Sequence, residues 1–180
     1  MSLQVALLRA VNVGGTGLVL MADLRATAQK AGLKQVRSLL QSGNLVFDAG
    51  AKAPAAVERL LETACSKTFG LKTEVYVRSS ADFGTLVAGN PFVREAANQP
   101  SRLHVIFLRA APPPEAFQAL QASVKGPEIV RPGGRHAYVY YPDGMGTSKL
   151  TLAVIARHLG MPGTARNWNT VLKLAALASA

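Results

Sequence analysis

The densest concentration of specific polar groups lies near the C-terminus, in Thr164-Ala165-Arg166-Asn167-Trp168-Asn169-Thr170-Val171-Leu172-Lys173-Leu174. It surrounds the only tryptophan with an arginine, two asparagines and a lysine. On a helix, Trp168, Val171, Leu172 and Ala175 share one face as a core stripe, while Asn169 and Lys173 lie four apart on another. Asn167 or Thr164 is expected to cap that helix. Arg166 and Lys173 are then the candidates for an outward cationic site. A cation at a helix start, where the backbone already carries partial positive charge, makes sense opposite an anion or a carboxylate.

Two further polar words precede it. Arg9 closes an apolar run, and Asn12-Val13-Gly14-Gly15-Thr16-Gly17 follows, between a strand and a helix. Such a loop can bring backbone N–H groups of Gly14 and Gly15 to an anion, although it fits neither the P-loop nor the dinucleotide fingerprint. Gln41-Ser42-Gly43-Asn44 offers hydroxyl and amide groups in a tight turn, a place where glycine and asparagine are favoured on backbone grounds alone. Ser148-Lys149 opens a helix, with Ser148 as its cap. Ser42 has no neighbouring base, and Gly-X-Ser-X-Gly is absent. His104, His136 and His158 lack metal-ligand spacing. Carboxylates are too dispersed for an acid–base pair or a magnesium site. No cofactor is implied, and no catalytic machine is recognisable.

The chain has 180 residues, 49% of them hydrophobic and 17% charged. That composition suits a globular core and excludes disorder. Twenty basic residues oppose ten acidic ones, a net charge of +10. The excess is +4 over residues 1–100 and +6 over residues 101–180. It favours an anionic partner; spread over the surface, it would serve solubility alone. Lys30, Lys34 and Arg37 are the nearest thing to a cluster. Cys65, the single cysteine, sits in an apolar helical pattern and reads as a small buried hydrophobe. The N-terminal apolar run breaks at Arg9 and reads as a strand, not a signal peptide. No apolar run approaches the ~20 residues of a membrane span. A cytoplasmic protein without membrane contact is the expectation.

Periodicity gives the strands and helices that carry these residues. Val5 to Val11 is a buried strand. Met21 to Ala31 is a helix stopped at Gly32. Gln35–Leu40 and Leu45–Phe47 form a hairpin. A helix opens at Pro54, carries Val57, Leu60, Leu61, Ala64 and Cys65 as its stripe, and ends at Gly70. Thr73 to Val77 is a strand. The order βαββαβ is that of the ferredoxin-like arrangement. Val105-Ile106-Phe107-Leu108-Arg109-Ala110 then echoes Val5-Ala6-Leu7-Leu8-Arg9-Ala10. A helix after Pro112-Pro113-Pro114, strands at Glu128–Arg131 and Ala137–Tyr141, a helix ending at Gly160 and the tryptophan helix give a second α+β half, βαββαα. The echo raises the reading of a diverged duplication. The expected division is 1–80, a connection over 81–101, and 102–180.

The opening Ala6-Leu7-Leu8-Arg9-Ala10-Val11-Asn12-Val13-Gly14-Gly15, the turn Gln41-Ser42-Gly43-Asn44 and the ending Thr164-Ala165-Arg166-Asn167-Trp168-Asn169-Thr170-Val171 resemble the bacterial domain-of-unknown-function family 1697. The resemblance covers nearly the whole chain. It implies an α+β fold with a ferredoxin-like part, and no established activity, substrate or cofactor. It places the family's recurring polar residues at Arg9, Asn12, Gln41, Ser42, Asn44, Ser148, Lys149, Arg166, Asn167 and Asn169. The usual Arg-Gly-Ile-Asn is Arg9-Ala10-Val11-Asn12 here. The loop after the double glycine, often basic in relatives, reads Thr16-Gly17-Leu18, which weakens a phosphate-loop reading.

Three functions remain open on sequence grounds. The first is a binding module for an anionic ligand, nucleic acid included, contacted by the Arg9 loop, the Gln41–Asn44 turn and the Arg166–Lys173 helix. Aromatics are sparse for a base-stacking sheet: Phe47 and Tyr76 in the first half, Phe107, Tyr138, Tyr140 and Tyr141 in the second. The second is an enzyme acting on a small polar or phosphorylated metabolite between the halves, with Arg9, Ser42, Lys149 and Arg166 converging. The third makes the same motifs purely structural. Oligomeric state is not legible.

Overall fold

The computed structural model of the protein describes residues 3–14 and 18–180. The chain divides into two compact units, Met1–Thr85 with Leu174–Ala180, and Leu86–Lys173.

In the first unit the elements run β1 (Leu3–Leu8), α1 (Met21–Lys30), β2 (Lys34–Leu39), β3 (Asn44–Asp48), α2 (Pro54–Phe69) and β4 (Val75–Ser79). The four strands pair antiparallel in the order β2-β3-β1-β4, the ferredoxin-like arrangement that the element order implied. Strand alternation sends Ala6, Leu8, Leu45, Phe47, Val75 and Val77 to one face of the sheet. There they share a core with Leu24 and Ala28 of α1 and Val57, Leu61 and Cys65 of α2. Leu60 and Ala64, expected in the same stripe, are only partly buried. Helix α2 ends on Gly70, in the left-handed conformation, which lets its N–H close the last turn onto the Ser66 carbonyl at 3.0 Å. Cys65 is fully buried; burial pushes its thiol up to about 11, as an inert hydrophobe requires.

Helix α3 (Ser80–Ala88) starts where β4 stops, and α4 (Val93–Asn98) follows. Residues 81–101, expected as a connection, are thus largely helical. Phe83 and Leu86 are the buried anchors of α3, too short a repeat to stand out around Gly84. Then come β5 (Leu103–Leu108), α5 (Pro114–Ser123), β6 (Ile129–Pro132), β7 (His136–Tyr140), one 3-10 turn at Met145–Thr147, α6 (Leu152–Leu159), β8 (Gly163–Asn167) and α7 (Trp168–Ser179). The second sheet, β6-β7-β5-β8, repeats the first in order and direction. Ile106, Leu108, Ala137 and Val139 pack with Phe117 and Leu120 of α5 and Ile155 and Leu159 of α6.

Three further expectations about these elements need correction. The second half is βαββαβ plus a helix, not βαββαα, because Gly163–Asn167 pairs with β5 as strand β8. Its Thr, Arg and Asn residues concealed a strand whose stability comes from backbone pairing. The cap of α6 is Thr151, whose hydroxyl accepts the Val154 N–H at 3.3 Å; Ser148 lies upstream of it. On α7, Trp168 is buried as expected, but the buried line continues through Val171, Leu174 and Ala178, and Leu172 is 42% exposed.

Candidate functional site

Two of the three polar words meet at one end of the first sheet. The Leu8 N–H donates to the Gly43 carbonyl at 2.9 Å, tying the end of β1 to the β2–β3 turn. Asn12, at φ 56, spans the gap: its side-chain amide donates to the carbonyls of Val19 (2.9 Å) and Gln41 (2.8 Å), and its oxygen accepts the Val19 N–H (2.7 Å). Asn44 is fully buried and donates to the Leu39 carbonyl and the Ser42 hydroxyl, both at 2.9 Å. Arg9 is exposed and pairs with the Glu74 carboxylate at 2.9 Å, while its carbonyl accepts the Thr73 hydroxyl at 2.7 Å. So Arg9, Asn12, Gln41, Ser42 and Asn44 are gathered in one place. The hydrogen bonds just described run to one another, to Glu74 and to backbone. Each such bond nets about 1 kcal/mol, and the exposed ion pair less. Gly14 is an exposed residue at φ 64. Gly15 lies outside the described residues.

The remaining candidates belong to the second unit. Ser148 and Lys149 line a groove of about 470 Å³ with Lys125, Glu128, Asp143 and Thr147. The Ser148 hydroxyl donates to the Glu128 carboxylate and accepts the Leu150 N–H at 2.9 Å. Two lysines and two carboxylates give this groove no net preference for either sign of charge. Arg166 is not outward, as expected from sequence, but buried on β8 at 8% exposure. It donates to the Thr164 hydroxyl and the Ala165 carbonyl, both at 2.8 Å. Burial pushes its guanidinium down to about 10, which leaves it protonated at neutral pH. The strand β8 explains the difference: alternation, not helix geometry, sets where Arg166 points. Asn167 caps α7, accepting the Thr170 N–H at 3.0 Å. Asn169 and Lys173 are exposed.

His104, His136 and His158 sit on β5, β7 and α6. Among the described residues no three His, Cys, Asp or Glu side chains gather where they could hold a metal ion. No helix there is long and apolar enough to cross a membrane.

A groove of about 620 Å³ between α1 and α2 was not anticipated. Its cations are Lys30, Arg59 and Lys67, and no carboxylate is among its lining residues. None of the three cations has an ion pair among the described residues. The cause lies in how α2 divides its charge. Glu58, 3% exposed, accepts the Val77 N–H at 2.9 Å, and Glu62 accepts the Val75 N–H at 3.0 Å. Both carboxylates are thereby committed to β4, an edge strand whose outward N–H groups need acceptors. Arg59, Thr63 and Lys67, one residue further on at steps of four, turn about 100° away and face α1. The signal was present in the sequence as two interleaved four-residue series, but the apolar stripe dominated the reading of that helix.

The family described as "Protein of unknown function (DUF1697)" matches residues 1–138. The conserved bacterial protein SP0830 from Streptococcus pneumoniae has a similar solved structure, with 22% sequence identity, a TM-score of 0.72 and 98% of each chain covered; at that identity the likeness is one of fold. No curated protein matches the sequence. The chain belongs to the DUF1697 family of proteins of unknown function.

Proposed function

We propose that this family member is a binding module for an anionic ligand, held in the groove between α1 and α2. The observation that carries the reading is the division of charge on α2, which leaves a groove with three cations and no carboxylate. Lys30 and Lys67 stand in the last turns of their helices, where the helix dipole alone favours a cation. Arg59, in the body of α2, has no such reason to be there. Thr63 adds a hydroxyl between the two α2 cations.

Titration of inorganic polyphosphate, followed by amide chemical shifts, tests this. The reading requires shifts centred on Thr27, Ala31, Arg59, Thr63 and Lys67. It also requires at least about tenfold weaker binding by the combined Lys30→Ala, Arg59→Ala, Lys67→Ala variant, roughly the 1.4 kcal/mol that two or three surface charge contacts supply. Shifts centred elsewhere, or unchanged affinity, would remove it.

A second reading concerns the polar words at Arg9, Asn12, Gln41, Ser42, Asn44, Ser148 and Asn167. Their hydrogen bonds to neighbouring loops, turns and helix ends support a structural role. Asn12→Ala should then lower stability and leave polyphosphate affinity unchanged. An enzymatic role built on Arg9, Ser42, Lys149 and Arg166 has less support, since Arg166 is buried and its guanidinium donates to Thr164 and Ala165 of its own strand.

A further inference from the structure

We infer that the anion taken by the α1–α2 groove is the phosphate backbone of nucleic acid, bound without reading of base sequence. The inference rests on the groove being an anion site, and it follows from the groove's shape and lining.

The cations form a line. Arg59, Thr63 and Lys67 rise along α2 in steps of about 6 Å, so the two charges stand about 12 Å apart along the axis, with Lys30 opposite. A single phosphate group meets one of these points. A string of phosphates meets several at once, and each neutralised phosphate releases condensed counterions, a gain that an isolated small anion does not supply. Lys30, Arg59 and Lys67 are all exposed, so the groove does not enclose a small molecule or strip its water.

The lining argues against base recognition. Ala31, Ala56, Leu60 and Ala64 make the apolar part of the groove, and no aromatic ring, asparagine or glutamine lines it. Bases have nothing to stack on and no amide to pair with; the cations could meet a guanine edge, but without partners for the other bases they read no sequence. The polar groups present, threonine hydroxyls and cationic heads, are those that meet phosphate oxygens. An acidic protein segment would answer the same charges, but it lacks the regular, closely spaced negative charge that suits a line of cations.

The test is fluorescence anisotropy with a labelled random-sequence DNA duplex, titrated at several salt concentrations beside inorganic polyphosphate and a polyglutamate peptide. The inference expects weak, non-specific affinity, about 10⁻⁴ to 10⁻⁶ M, equal for duplexes of unrelated sequence. The logarithm of the binding constant should fall against the logarithm of salt with a slope of about −2 to −3, near 0.9 per contact. Arg59→Ala and Lys67→Ala should each flatten that slope by about one, with melting curves showing both variants folded. Polyphosphate binding at the groove with no duplex binding would overturn the inference and leave the anion site standing. Displacement of the duplex by polyglutamate at lower concentration would also overturn it, in favour of an acidic protein partner. A slope unmoved by either substitution would place duplex binding elsewhere and overturn it too. If neither polyphosphate nor duplex binds, the anion site falls with it.

Discussion

The two units are built on one frame and finished differently. Both run βαββαβ with the same strand order. Both end their second helix on a left-handed glycine, Gly70 and Gly160. Val5 of β1 pairs with Arg78, and Val105 of β5 pairs with Arg166. Both arginines are buried, and each donates to the carbonyl of the residue before it. Such repetition of topology and register is what a diverged duplication would leave. The sheet margins differ. In the first unit, Glu58 and Glu62 of α2 seal β4. In the second, the sealed margin is the opposite one, β6, the counterpart of β2: the oxygen of Gln121 of α5 accepts the Val130 N–H at 2.7 Å, and Pro132 in the same strand has no N–H to offer. Both devices protect an edge from pairing with another chain, but one uses two negative charges and the other a neutral amide. A structural need settled locally thus also decides the charge left on the outer surface.

The hairpin glycines should show the strongest contrast. Gly43, at φ +75, would place a Cβ 2.9 Å from Leu8 Cβ and 3.3 Å from Val11 Cβ, whereas Gly134, at φ +76, has nothing within 4 Å. Gly43→Ala therefore combines left-handed strain with overpacking, about 3 kcal/mol, and Gly134→Ala carries the strain alone, about 1–2 kcal/mol. Equal shifts in denaturant midpoint would break the contrast.

The margins come next. Glu58→Ala strands the buried N–H of Val77, at a cost of about 1–3 kcal/mol; Gln121→Ala, at a less buried edge, should cost about 1 kcal/mol. A larger loss for Gln121→Ala in chemical unfolding would reverse the comparison.

A smaller effect separates the units by pH, since all three histidines lie in the second. Burial holds the His104 imidazole below its ordinary 6.5. The unfolded chain takes up a proton near that value and the folded protein resists it. Stability is therefore intact above pH 6.5 and declines as pH falls below it. The melting temperature should drop between about pH 7 and pH 5, less steeply in His104→Phe; identical profiles would remove His104 as the cause. The smallest effect is Leu172→Ala on α7. At 42% exposure it should change stability by less than about 0.5 kcal/mol; a loss above 2 kcal/mol would return Leu172 to the core.

Much of the frame was legible because β1 and β5 are apolar runs and three helices stop just before a glycine, Gly32, Gly70 or Gly160. The β1 and β5 runs, the Pro54 helix and the Gln41–Asn44 turn announce themselves by composition. The strand β8 did not, because Thr164, Arg166 and Asn167 owe their place to pairing with β5, which no local pattern records. The candidate site was legible only in part. The sequence pointed to Arg9, Asn12, Gln41, Ser42 and Asn44, and these do meet. Which of the chain's cations keep a carboxylate beside them depends on where Glu58 and Glu62 go, a fact of tertiary structure. Lys30 appeared in the nearest thing to a basic cluster, but Arg59 and Lys67 are 29 and 37 residues further on.

Glu58 and Glu62 have a consequence beyond the strand they serve. By turning its anions inward, α2 becomes electrically lopsided, and the lopsidedness is anchored: neither carboxylate can swing back to quench its neighbours without exposing a peptide hydrogen. Salt can screen the outward positive charge, but the carboxylates themselves can neutralise it only when that corner of the sheet comes apart.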